Sequence, residues 1–321
     1  KLISGLISLA MLLSIMPYSI TVSAADSNFT GSGTQSDPYL ISTASDLTTL
    51  ATLTNNANDK TTAAEYASKY YQLTADIDMS GVSYTPISWA TSMYTAQGAS
   101  FTGTLDGNNH VIKNVTMKTA STYGATYGII GYLGGNGTVK NLGIENMTVP
   151  AGTASRFCIG GIAGSIGANT TIENCYVKGM TVTAEPSGSD TTTYVGGIAG
   201  RTLGNSGVIK NVYTTGLDFS GVTNTNTTAG ILGSCGNTGY KAENTYTTYS
   251  KTQGNTSATN SYMSAVNCYT SSSITNAKTG LGLAFITLDS MNEGNPSLVW
   301  EYEKQNPTAE KKTVSINKLG N

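Results

Sequence analysis

The chain has 321 residues, 37 of them glycine, of which only 11% are charged, with a formal net charge of −2. So small a basic content excludes the electrostatic footprint that nucleic acid or an anionic membrane surface requires. The wealth of Gly, Ser, Thr and Asn would suit a disordered chain, but 19 tyrosines and regularly spaced apolar residues predict a packed one.

In chain order, Leu2 to Val22 is apolar apart from scattered Ser, Thr, Tyr and Pro, and ends on Val22-Ser23-Ala24 before Ala25-Asp26. A charged start, an apolar run and a small-x-small ending predict a secretory signal peptide over residues 1–24. A membrane anchor is the competing reading of an apolar run of about 20 residues, and Pro17 with the cleavage-like ending favours removal. The chain opens on Lys1 rather than Met, so part of a basic leader is expected to precede it. Residues 25–100 then read as an N-terminal cap with the first coils. Tyr39-Leu40-Ile41 is a first strand. Ser42 and Thr43 offer a hydroxyl N-cap, Asp46 an acid in the first turn, and Leu47, Leu50, Ala51 and Leu53 an apolar face. Together they predict a helix from about 44 to 56 that closes an open hydrophobic end. Ala63 to Lys69 reads as a second helical turn, and Tyr70 to Met79 as an alternating strand with Asp76 and Asp78 facing out.

From 101 to 275 the chain repeats itself. Gly161-Ile162-Ala163-Gly164, followed by Ile172-Glu173-Asn174-Cys175-Tyr176, returns as Gly197-Ile198-Ala199-Gly200 with Ile209-Lys210-Asn211-Val212-Tyr213. Gly128-Ile129-Ile130-Gly131 with Val139-Lys140-Asn141-Leu142 precedes both, and Gly230-Ile231-Leu232-Gly233 with Glu243-Asn244-Thr245-Tyr246 follows. The closing glycines are spaced by 33, 36 and 33 residues. A fixed period of this length marks a solenoid, since one unit buries its apolar face only when a neighbour stacks on it. Short β-branched and aromatic runs broken by Gly, Asn and Ser are strands rather than helices. The fold class is therefore all-β: a parallel β-helix, right-handed, with a short N-terminal capping helix and a C-terminal cap.

Aligning the coils places Asn114, Asn141, Asn174, Asn211, Asn244 and Asn267 in one column. Asn tolerates left-handed backbone, and at a strand spacing of about 4.8 Å its amide can bond up and down the stack. The residues just before it, Lys113, Lys140, Glu173, Lys210 and Glu243, alternate in sign from Lys140 onward, which predicts an outward ion-pair ladder. Cys175 and Cys268 share the slot after the Asn and read as small hydrophobes in the bore, too far apart in the stack to bridge. The spacing fixes no place for Cys158 or Cys235, and four buried free thiols are expected.

These residues resemble a known family. Gly-Ile-Ala-Gly and Gly-Ile-Leu-Gly with a following Ile-x-Asn-Cys/Val-Tyr are similar to the GLUG repeat of bacterial surface proteins, which occurs in the non-catalytic N-terminal parts of immunoglobulin A proteases and in large adhesins. Phe101 to Val115, with its Asp106-Gly107-Asn108-Asn109-His110 turn, resembles the coil that leads into such repeats, and Gly31 to Ser42 resembles their common opening. The likeness covers roughly residues 29 to 275. It implies a surface module and says little of activity.

Stretches of variable length fall at Ala120 to Thr126, Pro150 to Phe157, Glu185 to Tyr194 and Thr223 to Thr228. On a regular scaffold such insertions are the places for binding, although Thr, Ser and Gly in them equally suit bland solvated loops. Residues 276–321 lose the period and are expected to cap the far end: a helix over Leu281 to Met291, a strand over Ser297 to Tyr302, then a polar tail from Glu310. No sorting motif follows, so the chain is expected either to be released or to continue to an anchor.

No constellation of catalytic residues stands out. Glu173 and Glu243 flank Lys210, as in an ion-pair ladder. Asp106 sits in a turn that suits Asp for local reasons. His110, the single histidine, follows that turn in a slot that is structural in the family, and no His/Cys cluster has metal spacing. Arg156 and Arg201, two separate cations in the sequence, could face a ligand but are expected to face solvent. The sequence thus predicts no catalytic, cofactor or metal residue, no cofactor, and an unknown ligand site. The function implied is a secreted or cell-surface, adhesin-like module that binds glycan or host or matrix protein without catalysis, as a monomer or part of a larger chain. Two alternatives stay open. A carbohydrate-active β-helix enzyme would need a groove lined by three or more carboxylates or by stacked tyrosines, and a structural spacer would need a longer reading frame.

Overall fold

A peptide unit that carries Asn in a left-handed turn can bend a strand without ending it, and the repeats do this coil after coil. In the computed structural model Asn141, Asn174, Asn211, Asn244 and Asn267 all have φ between 52° and 53°. The strand through Asn174 runs unbroken from Thr170–Val182. The structure describes residues 28–92, 95–119, 125–150, 152, 156–183, 192–222, 227–236, 239–250 and 263–307.

One coil shows the plan. Arg156–Gly160 forms a strand, Gly161 and Ile162 turn it, Ala163–Ile166 returns, and Thr170–Val182 makes the long third side. Each side stacks in register on the same side of the next coil, so the molecule is a parallel β-solenoid. The long sides follow the path Tyr39–Ile41, Tyr70–Leu73, Thr104–Lys113, Thr138–Val149, Thr170–Val182, Gly207–Asp218, Tyr240–Thr247, Met263–Tyr269. Ile130–Leu133, Ala163–Ile166, Ala199–Thr202 and Leu232–Cys235 build a second sheet, and Ala125–Tyr127, Arg156–Gly160, Thr192–Gly196 and Thr228–Ala229 a third.

The Gly-Ile-x-Gly motif explains itself in this frame. Ile129, Ile162, Ile198 and Ile231 are fully buried at the turn, and their backbones bond from coil to coil, Ile130 N–H to Ile162 O and Ile162 N–H to Ile198 O at 3.0 Å each. The closing glycine lets the second sheet touch the third: a Cβ on Gly164 would lie 2.7 Å from Cys158 O and 2.8 Å from Tyr127 N, closer than packed atoms come. A single core runs from Phe29 to Met263 through the bore.

The N-terminal cap forms as expected. Helix α1 (Ala44–Thr54) is opened by a capping box, Asp46 N–H to Thr43 Oγ1 at 3.2 Å and Thr43 N–H to Asp46 Oδ2 at 2.9 Å. It buries Leu47 and Leu50 in the core. Helix α2 (Lys60–Ala67) is longer than the helical turn read from Ala63 to Lys69, because Asp59 caps it through Thr62. The strand expected over Tyr70 to Met79 is two strands, Tyr70–Leu73 and Ile77–Asp78.

Two expectations for the C-terminal part are overturned. The helix is α3 (Ile274–Gly280), earlier than the predicted Leu281 to Met291, and the strand predicted over Ser297 to Tyr302 lasts only for Ser297–Leu298 before α4 (Val299–Gln305) begins. Glu301 is the cause, since its carboxylate accepts the Leu298 N–H at 2.8 Å and so caps the helix one turn early. Within the described residues this segment packs along the side of the coils as a strap. The signal segment, residues 310–321 of the tail, and most of the four variable stretches (120–124, 151, 153–155, 185–191, 223–226) lie outside the described residues.

Candidate functional site

The outer face of the long sheet is lined by columns of side chains one strand apart. The asparagine column is continuous: Asn141 donates to Asp106 Oδ1 (3.0 Å), Asn174 to Asn141 (3.2 Å), Asn211 to Asn174 (3.0 Å), Asn244 to Asn211 (3.1 Å) and Asn267 to Asn244 (2.9 Å). Asn114 is not in it. A bulge at Gly107 to Asn109 shifts the register of that strand, and Asn114 instead starts a second column, accepting from Asn146 (3.3 Å) and donating to Asp78 (2.9 Å). Asp106 heads the main column.

The charge ladder follows the same register: Asp106, Lys140, Glu173, Lys210 and Glu243 face one another in turn, with Lys140 to Asp106 at 3.3 Å and Lys210 to Glu173 at 2.7 Å. Lys113 belongs to a separate alternating row, Asp78, Lys113, Glu145, Lys178, and not to the row of Lys140 as its sequence position implied. Ion pairs this exposed contribute roughly 0–1 kcal/mol each.

A third column carries rings. Tyr176, Tyr213, Tyr246 and Tyr269 are in register, with Tyr176 and Tyr213 stacked at 5.2 Å and Tyr213 and Tyr246 at 5.0 Å. Tyr176 leans over Gly143, where a Cβ would stand 2.4 Å from its ring, and its hydroxyl donates to Glu145 at 2.7 Å. The strap lies on this column. Trp300 stacks on Tyr176 at 5.5 Å and donates through Nε1 to Asn174 O at 3.2 Å, and the hydroxyl of Tyr246 bonds Pro296 O. Glu301, only 4% exposed, accepts from Tyr213 (2.8 and 2.9 Å), from Lys178 (2.6 Å) and from the Leu298 amide. At the far end of α4, Lys304 is paired with Asp76 and donates to Asn109 O at 3.2 Å. The strap therefore reaches from Tyr246 on the seventh long strand back to Asp76 and Asn109 in the first coils.

Between strap and sheet lies a cleft of about 370 Å³ lined by Asp76, Glu145, Glu301, Lys113, Lys178, Lys304, Tyr176 and Trp300. It meets in form the requirement set for a carbohydrate-active groove, three carboxylates beside stacked rings. Asp76 and Asp78, read as facing out from one strand, part company: Asp78 turns to Ser80 and Asn114, while Asp76 lines the cleft. His110, which follows the Asp106–Asn109 turn, bonds Asp76 at 3.0 Å through Nδ1. Burial pushes the Asp76 carboxyl up, but the bonds from Lys304, the Val111 amide and His110 outweigh it and hold it below the usual carboxylate range. Burial raises Tyr176 and Tyr213 above the ordinary phenol, helped by the charge of Glu301. Glu145 and Glu301 were missed because each occurs once, outside the motif, and only the fold brings them together.

The four cysteines are free. Cys158 and Cys175 are buried, which pushes their thiols up to about 11 and about 12, while Cys235 and Cys268 are half-buried, against the expectation of four buried thiols. Cys268 lies on the last strand of the long sheet, and among the described residues no further strand pairs beyond it. Among the described residues no group of three or more His, Cys, Asp or Glu side chains is arranged to hold a metal ion, and no helix is long and apolar enough to cross a membrane.

Coils of this shape, closed by Gly-Ile-x-Gly turns and a ladder asparagine, define a parallel β-solenoid. The chain carries the GLUG motif, matched over residues 155–183, so the resemblance read from the sequence holds. Over 130 residues, 38% of this chain, it is 35% identical to halomucin of Haloquadratum walsbyi, and the match spans 1% of the length of that protein. A crystal structure from Bacteroides ovatus, provisionally assigned as an immunoglobulin A1 protease, superposes with a TM-score of 0.47 at 21% identity, covering 84% of this chain and 94% of that one.

Proposed function

We propose that this chain is an exported, cell-surface or secreted β-solenoid module of adhesin type that binds glycan or an extracellular protein without converting it. The GLUG motif and the predicted signal segment support the placement outside the cell. The observation that weighs most against turnover is the state of the cleft carboxylates. Asp76 is held by Lys304, His110 and an amide, Glu145 by Tyr176, and Glu301 by Lys178 and Tyr213. A glycosidase needs one carboxyl raised to act as an acid, and Asp76 is held low instead. The variable stretches between coils are where a ligand is expected to be met.

A second reading, a carbohydrate-active enzyme, is favoured by one specific observation, the three carboxylates beside the Tyr176 and Trp300 stack. The two are separated by a glycan and matrix-protein array read alongside reducing-sugar and unsaturated-uronide assays on the same polysaccharides. Saturable binding without product is the expected result. Product that disappears in Glu145→Gln would replace this reading with the enzyme, and silence in both assays would leave a spacer that holds other domains apart.

A further inference from the structure

The outer face of the long sheet carries a second hollow, away from the strap. It has a volume of about 220 Å³ and lies where Tyr70–Leu73, Thr104–Lys113 and Thr138–Val149 run side by side. The register builds its floor. Tyr70, Thr104 and Thr138 stand in one column and Gln72, Asp106 and Lys140 in the next, since alternate residues of a strand share a face. The columns lie roughly 6.6 Å apart along the strands and their members about 4.8 Å apart across them, so the floor has the size of one six-membered sugar ring. The wall is the loop from Ser32 to Pro38. Its own backbone closes it, Ser32 N–H to Asp37 O at 3.1 Å, and Tyr70 N–H to Gly33 O at 3.0 Å fastens it to the floor, which sets Gln35 and Pro38 beside the hollow.

The state of its polar groups separates this hollow from the cleft under the strap. In the cleft the carboxylates are engaged by Lys178, Lys304 and Tyr176. In the hollow the side-chain amides of Gln35 and Gln72 and the hydroxyls of Tyr70, Thr104 and Thr138 bond no other described residue. Each of these groups both donates and accepts, as does each hydroxyl of a sugar. Tyr70 adds a ring. Its neighbour Tyr71 is buried against Phe29, Tyr39 and Phe101, whereas Tyr70 points to the other face, is half-buried, and meets no aromatic ring or cation among the described residues. The charges at the floor are already paired, Lys140 with Asp106 at 3.3 Å and Glu173 with Lys210 at 2.7 Å. An anionic sugar would find no unpaired cation among the lining residues, and an uncharged one needs none.

We propose that this hollow is a binding subsite for one uncharged pyranose, with the Tyr70 ring against a C–H face of the sugar and Gln35, Gln72 and the threonine hydroxyls on its hydroxyl groups. The assignment rests on the glycan-binding reading above and adds to it a place on the sheet face, apart from the variable stretches, and a class of sugar. So open a site holds a single ring weakly, with a dissociation constant on the order of 1 mM.

Saturation-transfer NMR on the whole chain tests this, with the methyl glycosides of glucose, galactose, mannose and N-acetylglucosamine, and with methyl glucuronide, as probes. At least one of the uncharged glycosides is expected to bind, and more tightly than the glucuronide. Tyr70→Ala and Gln72→Ala, each with an unchanged circular dichroism spectrum, are expected to weaken it roughly fivefold, the effect of one ring contact or one hydrogen bond. Tyr70→Phe keeps the ring and is expected to retain most of the binding. A glycan that the array shows bound equally by the parent chain and by both alanine variants would place the ligand elsewhere, overturning the subsite while leaving glycan binding by the module intact. No binding of any uncharged glycoside at ~50 mM, far above the expected constant, would overturn the subsite too, and an array empty of glycans as well would remove the glycan reading with it. Preference for the glucuronide would overturn the class of sugar.

Discussion

The asparagine ladder and the strap fasten the same coils, and they do it by opposite means. The ladder is made of one weak contact repeated at every coil, each between a residue and its copy about 33 residues on. The strap is made of single contacts of long reach: Lys178 to Glu301 spans 123 residues, Asn174 to Trp300 126, and Asp76 to Lys304 228. A repeated contact loses little when one member fails, because its neighbours remain. A hub such as Glu301 holds three donors at once in a buried place, and its loss strands all of them.

The largest effect should follow from Glu301→Ala. It leaves the half-buried Lys178 ammonium and the buried Tyr213 hydroxyl without their acceptor, and a loss of roughly 3–5 kcal/mol in urea unfolding is expected. A change under about 1 kcal/mol would mean that the strap contributes nothing to the fold. Asn174→Leu should cost roughly 1–3 kcal/mol, since it breaks two ladder bonds and forces a branched side chain into left-handed backbone. Asn174→Gly keeps that backbone at no strain and should cost less than the leucine variant. If both variants unfold at the same urea concentration, the left-handed turn is not what asparagine supplies.

Acid should weaken the strap before the ladder. The Asp76 carboxyl is held below its unfolded value of about 3.9, so the stability it brings is complete above that pH and is lost as pH falls through the lower folded value. The unfolding midpoint is therefore expected to drop as pH falls below about 4, and Asp76→Asn should flatten that limb of the curve. An unchanged acid limb would remove Asp76 from the account. The smallest effect is chemical. Cys175, buried with its thiol pushed up to about 12, should resist alkylation until the chain unfolds, while half-buried Cys268 reacts first. Equal rates for the two would contradict their places in the coil.

The same comparison shows what the amino-acid sequence reveals. Whatever repeats is legible: the Gly-Ile-x-Gly turns, the column from Asn141 to Asn267 and the alternation from Lys140 to Glu243 can be read by laying one coil on the next. Asn114 breaks the rule instructively. It lies 27 residues before Asn141, short of the usual step, and the bulge at Gly107 to Asn109 moves it into another column. The α1 cap is legible because its signals are local, Thr43 and Asp46 standing three residues apart. The strap and the cleft are not. Trp300, Glu301 and Lys304 occur once each, and their partners Tyr176, Tyr213, Lys178 and Asp76 lie on coils formed long before them in the chain, so no spacing announces the contact. Glu301 even reverses the local preference, turning a strand-like Leu298-Val299-Trp300 into the start of a helix by accepting an amide.

Native-state hydrogen exchange on the chain and on Glu301→Ala tests most directly whether the coils are a scaffold to which the strap is fastened. The account predicts that the variant loses protection over Ile274–Gln305 while the amides of Ala163–Ile166 and Thr170–Val182 stay protected, because those bonds run from coil to coil. Loss of protection in both regions together would contradict it, and would make the strap part of the same cooperative unit as the coils.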